Sequence, residues 1–364
     1  MNKDNKNQII SRAFSGQAEF CASQQAPVTA SVIAGAQRDF DAGGIVHYLL
    51  SGWSGHPVDD ALALRLAGFL HFQALSGAAP DLAAFYPSCG GQMQAGQEAA
   101  LWRLAEAELQ GQQDAVRKFL RHPPQTNETG RAAVLLAGFS EIARQTHSPL
   151  RLREIGSSAG LNLLFDHYHY EIGLSQWGAP DALLSIASDW QGTPPTLLAD
   201  IPIADRRGCD VAPIDLADAS HVLHLQSYVW GDMQQRRDRL LRAIEIFQAA
   251  QKSGVAPVID RADAAGWVAS QVMQRPTGQT TVLFHSITWQ YLDISQRMAI
   301  ESAMAQAFET ASPEAPLAWL RMDVDRGAHI PVLEYDISTG GAPQKIRLAN
   351  CHPHGTSAEF TAAL

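Results

Sequence analysis

Leu150-Arg151-Leu152-Arg153-Glu154-Ile155-Gly156-Ser157-Ser158-Ala159-Gly160-Leu161-Asn162 is the stretch that decides the fold. Its first six residues predict a strand. The small residues after Ile155 predict a tight turn, and Leu161–His167 predicts a helix opening from it. Small side chains let a backbone approach a ligand closely, and a helix start offers unpaired N–H groups. In an open α/β sheet such a turn lies at the carboxyl end of a strand, where ligands bind.

Working outward, short apolar or β-branched runs alternate with helical ones after Pro149. Strands are predicted at Leu150–Ile155, Ile201–Cys209, Val255–Asp260, Thr280–Phe284 and Leu317–Met322. Helices are predicted at Leu161–His167, Met233–Gln251, Ala264–Met273 and Ile294–Thr310. This alternation predicts an α/β fold with a mostly parallel, doubly wound sheet. Pro331–Ile337 and Lys345–Cys351, joined by a turn-rich link, predict an antiparallel hairpin closing one edge of the sheet. Tyr168–Pro195 carries strand-like residues but no long helical pattern, and predicts an inserted β-hairpin or loop near 168–195.

Upstream, the pattern is helical. Leu62, Leu66, Phe69 and Phe72 recur at three- and four-residue steps within Ala61–Leu75, and similar stretches run over Gln94–Leu120 and Thr129–Thr146. The chain therefore divides into an all-helical N-terminal region or lid, residues 1–148, and an α/β domain, residues 149–364.

Composition narrows the function. Of 364 residues, 46% are hydrophobic, 18% are charged, and the net charge is -10. Residues 1–150 hold 11 basic and 13 acidic side chains, and residues 151–364 hold 16 and 24. Neither part has the basic excess that phosphate-backbone binding demands, so nucleic acid is not expected as a partner. Cys21, Cys89, Cys209 and Cys351 are scattered, which predicts reduced thiols rather than a disulfide framework. Met1–Gln8 is polar with no apolar segment behind it, and no apolar run reaches the ~20 residues that cross a bilayer, so a cytoplasmic protein without membrane spans is expected. His352-x-His354 would place two imidazoles on one face of a strand, but no third ligand accompanies them and no metal site is expected.

Three chemistries compete for the turn. A dinucleotide motif needs G-x-G-x-x-G, and positions 158 and 161 are Ser and Leu. Gly156-Ser157-Ser158-Ala159-Gly160 satisfies the G-x-S-x-G of a serine hydrolase, with Ser158 as nucleophile, Asp210 or Asp263 as acid, and His285, His352 or His354 as base. Against this, everything upstream reads as helix and no oxyanion loop is visible. The third is binding of S-adenosylmethionine (SAM). The turn resembles motif I of class I methyltransferases, with Ser158 in place of the middle glycine. Only this reading gives Glu154 a task, pairing with the cofactor's ammonium group.

The whole chain resembles an uncharacterised bacterial family placed with the class I SAM-dependent methyltransferases. The resemblance rests on Pro124–Arg131, Glu154–Asn162, Arg206–Asp215, Phe284–Tyr291 and His352–Gly355. It implies a Rossmann-like methyltransferase sheet and SAM held by Glu154, Gly156, Ser157, Ser158, Gly160 and Asn162. It further implies Asp210 on the ribose hydroxyls and Asp263, beside Ala264, at the adenine. His285 is placed to act as general base toward a small-molecule methyl acceptor. That acceptor would be lined by Gln125, Asn127, Arg131, Tyr228, Trp230 and Trp289. A SAM or nucleotide binder without catalysis is the alternative.

Overall fold

The computed structural model describes residues 3–325 and 330–361, which form two compact units. The first comprises residues up to Thr126 together with Asp218–Asp238, and the second Asn127–Ala217 with Arg239 onward. The boundary thus lies before the third helical stretch, not at 148, because that helix buries its apolar face on the sheet.

The first unit is helical: α1 (Lys3–Ser23), α2 (Pro27–Asp41), α3 (Ile45–Leu50), α4 (Leu62–Leu75), α5 (Pro80–Ala83), α6 (Glu98–Gly111) and α7 (Gln113–Leu120). The single helix expected over Gln94–Leu120 is therefore two. The chain leaves helical geometry at Gln112 (φ −128°, ψ 35°), directly after Gly111, whose freedom disfavours continuation. Ile10, Phe14, Ile33, Phe40, Leu66 and Leu101 belong to one core. A helix that the sequence reading missed, Ala219–Ser227, belongs to this unit and is capped by Asp218, whose carboxylate accepts from the Ser220 N–H at 2.7 Å.

Asp232 closes the same unit onto the start of α2. It accepts from the N–H of Val28 (2.8 Å) and Thr29 (3.0 Å) and from the Thr29 hydroxyl (2.7 Å). Ala26, in the N-cap position, has no side chain to do this. Asp232→Ala is expected to cost about 2 kcal/mol, read by urea denaturation. A variant as stable as the parent would show that water caps α2 equally well.

The second unit begins with α8 (Ala132–Thr146), preceded by a 3-10 turn at Thr129–Arg131. The strands are β1 (Leu150–Ile155), β2 (His169–Ile172), β3 (Ser175–Trp177), β4 (Ser185–Gly192), β5 (Ile203–Asp210), β6 (Val258–Arg261), β7 (Thr280–Ser286), β8 (Leu317–Val324), β9 (Pro331–Ser338), β10 (Gln344–Cys351) and β11 (Ser357–Phe360). They form one eleven-stranded sheet in the order β3-β2-β4-β11-β10-β9-β8-β7-β1-β5-β6. The five strands from β8 to β6 are parallel, and six of the ten strand pairings in the sheet are parallel. This is the mostly parallel α/β sheet that the alternation predicts, with the order reversing between β1 and β7.

Two expectations change. The β9–β10 hairpin is interior, because the short β11 pairs antiparallel with β10 and carries the sheet onward. The segment 168–195 is neither a loop nor an isolated hairpin. Its strands β2, β3 and β4 extend this sheet through a parallel β4–β11 pairing. Four-residue strands such as β11 leave too little alternation to be seen in sequence.

Register fixes which side chains share a face. Glu154 pairs with Phe284 across β1 and β7, so both point to the α8 side, where Phe139 stacks on Phe165 (4.4 Å) and meets Phe284 edge-on (5.1 Å). Ile155, Leu283 and Trp319 lie on the opposite face, covered by helices Ala264–Val272 and Ile294–Glu309.

Candidate functional site

The turn after β1 is held by its own side chains. Gly156 (φ +67°), Ser158 (φ +55°) and Gly160 (φ +78°) all adopt left-handed geometry, a cost for Ser158 that a glycine there would avoid. The Ser157 hydroxyl donates to the Glu154 carbonyl (3.0 Å) and the Cys209 carbonyl (3.2 Å), tying the turn to β5. A side chain at Gly160 would collide with Ile259 of β6, and one at Gly156 would collide with Thr288.

Leu161–His167 is not the expected α-helix. It is a 3-10 segment kinked at Leu164 (φ −104°, ψ 23°). The Leu161 N–H donates to the Asn127 side chain at 2.9 Å. The hydroxyls of Tyr168 and Tyr170 take the carbonyls of Leu161 (2.6 Å) and Phe165 (2.7 Å) that a longer helix would use. The first N–H of this segment is therefore already used within the chain.

What the turn offers is acceptors. Glu154 is only 2% exposed, accepts a hydrogen bond from Asn162, and has its Oε2 without a partner among the described residues. The Ser158 hydroxyl and the Asn162 Oδ1 are likewise buried without partners. Burial pushes the Glu154 carboxyl well above its ordinary range; the Asn162 hydrogen bond pulls it down, the Asp210 charge adds to the rise and the Arg131 charge opposes it. Buried acceptor oxygens of this kind match a cation that carries several N–H donors.

Asp210 stands at the end of β5, where its Oδ2 accepts from Ser158 N–H (2.9 Å) and its Oδ1 from Ala212 N–H (2.9 Å). Asp263 caps the helix that begins at Ala264, accepting from Ala265 N–H (2.9 Å) and from the Gln296 amide (2.5 Å). Arg131 spans two carbonyls, Pro353 (2.9 Å) and Ser286 (3.0 Å). Gln125, Tyr228 and Trp230 belong to the helical unit. Tyr228 there packs on Gly68 and Phe119, and Trp230 meets Phe20 edge-on at 5.9 Å. The motifs His352 and His354 follow β10 rather than lying on a strand, and His354 Nδ1 is 3.4 Å from the Glu128 carboxylate. Among the described residues no group of three metal-ligating side chains converges.

His285 lies on the face opposite Glu154, one residue beyond Phe284. Its Nδ1 is 2.5 Å from Asp323 Oδ2, and its buried Nε2 has no partner among the described residues. Asp323 also receives the N–H groups of Thr288 (3.4 Å) and Trp289 (3.3 Å). Trp289 stacks on the imidazole at 5.2 Å with the rings 12° apart. Ile287, between strand and turn, has φ +53°, a strained value for a β-branched residue that brings the following amides onto Asp323. His285, Trp289, Trp319 and Asp323 line a cavity of about 390 Å³. Asp323 escaped the sequence reading because the predicted strand ended at Met322. The usable signal was the alternation Trp319, Arg321, Asp323, three polar-tipped side chains on one face of a strand.

The serine-hydrolase arrangement is not assembled. The Ser158 hydroxyl has no hydrogen-bond partner among the described residues, and the His285 dyad is completed by Asp323 on the other face.

Fold and site together define an α/β protein with a mostly parallel sheet and polar clusters at its carboxyl edge. A family model covers residues 11–360, and the chain belongs to that family, described as "Uncharacterized protein conserved in bacteria (DUF2332)". Neither the curated proteins nor the solved structures include a significant match to the chain. No helix among the described residues is long and apolar enough to cross a membrane.

Proposed function

We propose that this protein is a SAM-dependent methyltransferase-like enzyme acting on a small molecule, with the amino-acid end of SAM seated at the turn after β1. The observation that carries this reading is the trio of buried, unpartnered oxygens on Glu154, Ser158 and Asn162. A ligand ammonium supplies three N–H donors and the positive charge that keeps Glu154 ionised. The position supports it further: β1 is the middle strand of the five parallel ones, and their order reverses beside it. Asp210 and Asp263, at the ends of the next two strands, face the ribose and adenine in this reading, although each already accepts two hydrogen bonds.

When bound, SAM supplies an electrophilic sulfonium methyl group. The chain's own residues hold and orient the ligand, and the His285–Asp323 dyad holds the acceptor's proton at Nε2. Thr288 stands beside both the turn and the dyad, with its side chain where a Cβ on Gly156 would lie and its N–H on Asp323. In this reading the Thr288 side chain moves aside when the ligand enters.

Calorimetric titration with SAM and S-adenosylhomocysteine tests the reading. Binding of both is expected, and Thr288→Ala should tighten it by removing the group over Gly156. If neither ligand gives heat with either protein well above micromolar concentration, the proposal fails. Binding without SAM consumption in the presence of a metabolite extract would support a non-catalytic binder.

A further inference from the structure

Two residues that line the cavity beside His285 each bury a polar atom with no hydrogen-bond partner among the described residues. One is Nε2 of His285 and the other is Nε1 of Trp319, and both residues line the same 390 Å³ space. Their chemistry is opposite. With Nδ1–H donated to the Asp323 carboxylate, Nε2 keeps its lone pair and accepts, whereas an indole N–H only donates. A ligand that satisfies both must offer a donor and an acceptor together.

The walls narrow the choice. Among the described lining residues, carboxylates outnumber cations five to two, and Arg321 is already bound to Glu334 (3.0 Å) and Asp336 (2.7 Å). Such a wall disfavours carboxylates and phosphates. An ammonium would satisfy Nε2 but leave the Trp319 N–H unpaired, because it has no lone pair. A hydroxyl does both. Trp289 and Trp319, with ring centroids 5.6 Å apart, supply flat apolar surface.

We propose that this cavity binds a neutral, flat, hydroxylated ligand of the phenol class, its hydroxyl donating to Nε2 of His285 and accepting from Nε1–H of Trp319. Asp323 is the positioning residue that sets the tautomer. That this ligand is the methyl acceptor rests on the methyltransferase reading; the binding site itself does not, and it is tested without cofactor.

The probes are 2-naphthol and 2-methoxynaphthalene, which share the ring system and differ in the hydroxyl proton. Titrated into the full-length protein and followed by calorimetry, 2-naphthol is expected to bind about ten-fold more tightly, the equivalent of one hydrogen bond. Asp323→Asn presents an amide N–H to Nδ1, which makes Nε2 the protonated nitrogen, so the preference should fall to within about two-fold. Trp319→Phe keeps the wall, removes the N–H, and should weaken both probes. Equal binding of the two probes by the wild type, no binding of 2-naphthol up to its solubility, or an unchanged preference in a folded Asp323→Asn protein would each overturn the assignment. Loss of SAM binding with the naphthol preference intact would remove the methyltransferase reading and leave the site standing.

Discussion

Replacing Glu154 by glutamine is expected to make the ligand-free protein more stable above neutral pH while weakening its affinity for SAM. The folded-state carboxyl is held well above its ordinary value of 4.5 by burial. Below that value Glu154 is protonated in both the folded and unfolded states and stability is unaffected. As the pH rises past it, the unfolded chain releases the proton and the folded chain keeps it. Stability therefore falls with pH, by at most about 1.4 kcal/mol per unit, until the pH passes the folded value. Glutamine has no such dependence. Urea denaturation between pH 5 and pH 9 should show the wild-type curve dropping away from that of Glu154→Gln, and parallel curves would contradict this account of the carboxyl. The same change removes a charge-assisted contact to the ligand ammonium, so SAM affinity should fall by about 10- to 100-fold. A gain in stability with a loss of binding marks a side chain kept for a ligand. A structural residue would lose stability when replaced.

The second large effect is expected at Phe139. This ring, on α8, lies 4.4 Å from Phe165 and 5.1 Å from Phe284, and all three are fully buried. Truncation to alanine opens a cavity between helix and sheet that rigid strands cannot fill, at a cost of about 3–5 kcal/mol. For a unit of this size that corresponds to a fall in melting temperature of roughly 10 °C. Because Phe284 shares the sheet face of Glu154, the variant should also lose SAM affinity. A loss below about 1 kcal/mol would mean that the α8 side relaxes around the gap, contrary to the packing described.

Much of the architecture was legible in the linear order of residues. Pro149 marks the change from a 3.6-residue apolar period to short β-branched runs, and the five parallel strands fall close to where those runs lie. That legibility has a physical source at β7 and at the start of β8, which are buried on both faces and read as unbroken apolar or β-branched runs. The far half of the sheet was not legible. The strands β2, β3 and β11 are only three or four residues long, and their place depends on partners remote in sequence, such as β4 for β11.

The same division runs through the site. Glu154, Gly156, Ser158 and His285 stand out in the sequence because their residue types are costly without a purpose at such positions. Their neighbours do not. Tertiary register alone places Glu154 and His285 on opposite faces, since a single residue's difference along paired strands reverses the direction of a side chain. It is also the fold that brings Asp323 to His285 across 38 residues of chain and lays Thr288 over Gly156. Sequence determined which groups are present and which strand ends they occupy. Only the folded sheet decided which of them share a cavity, because hydrogen bonds and burial act through space and not along the chain.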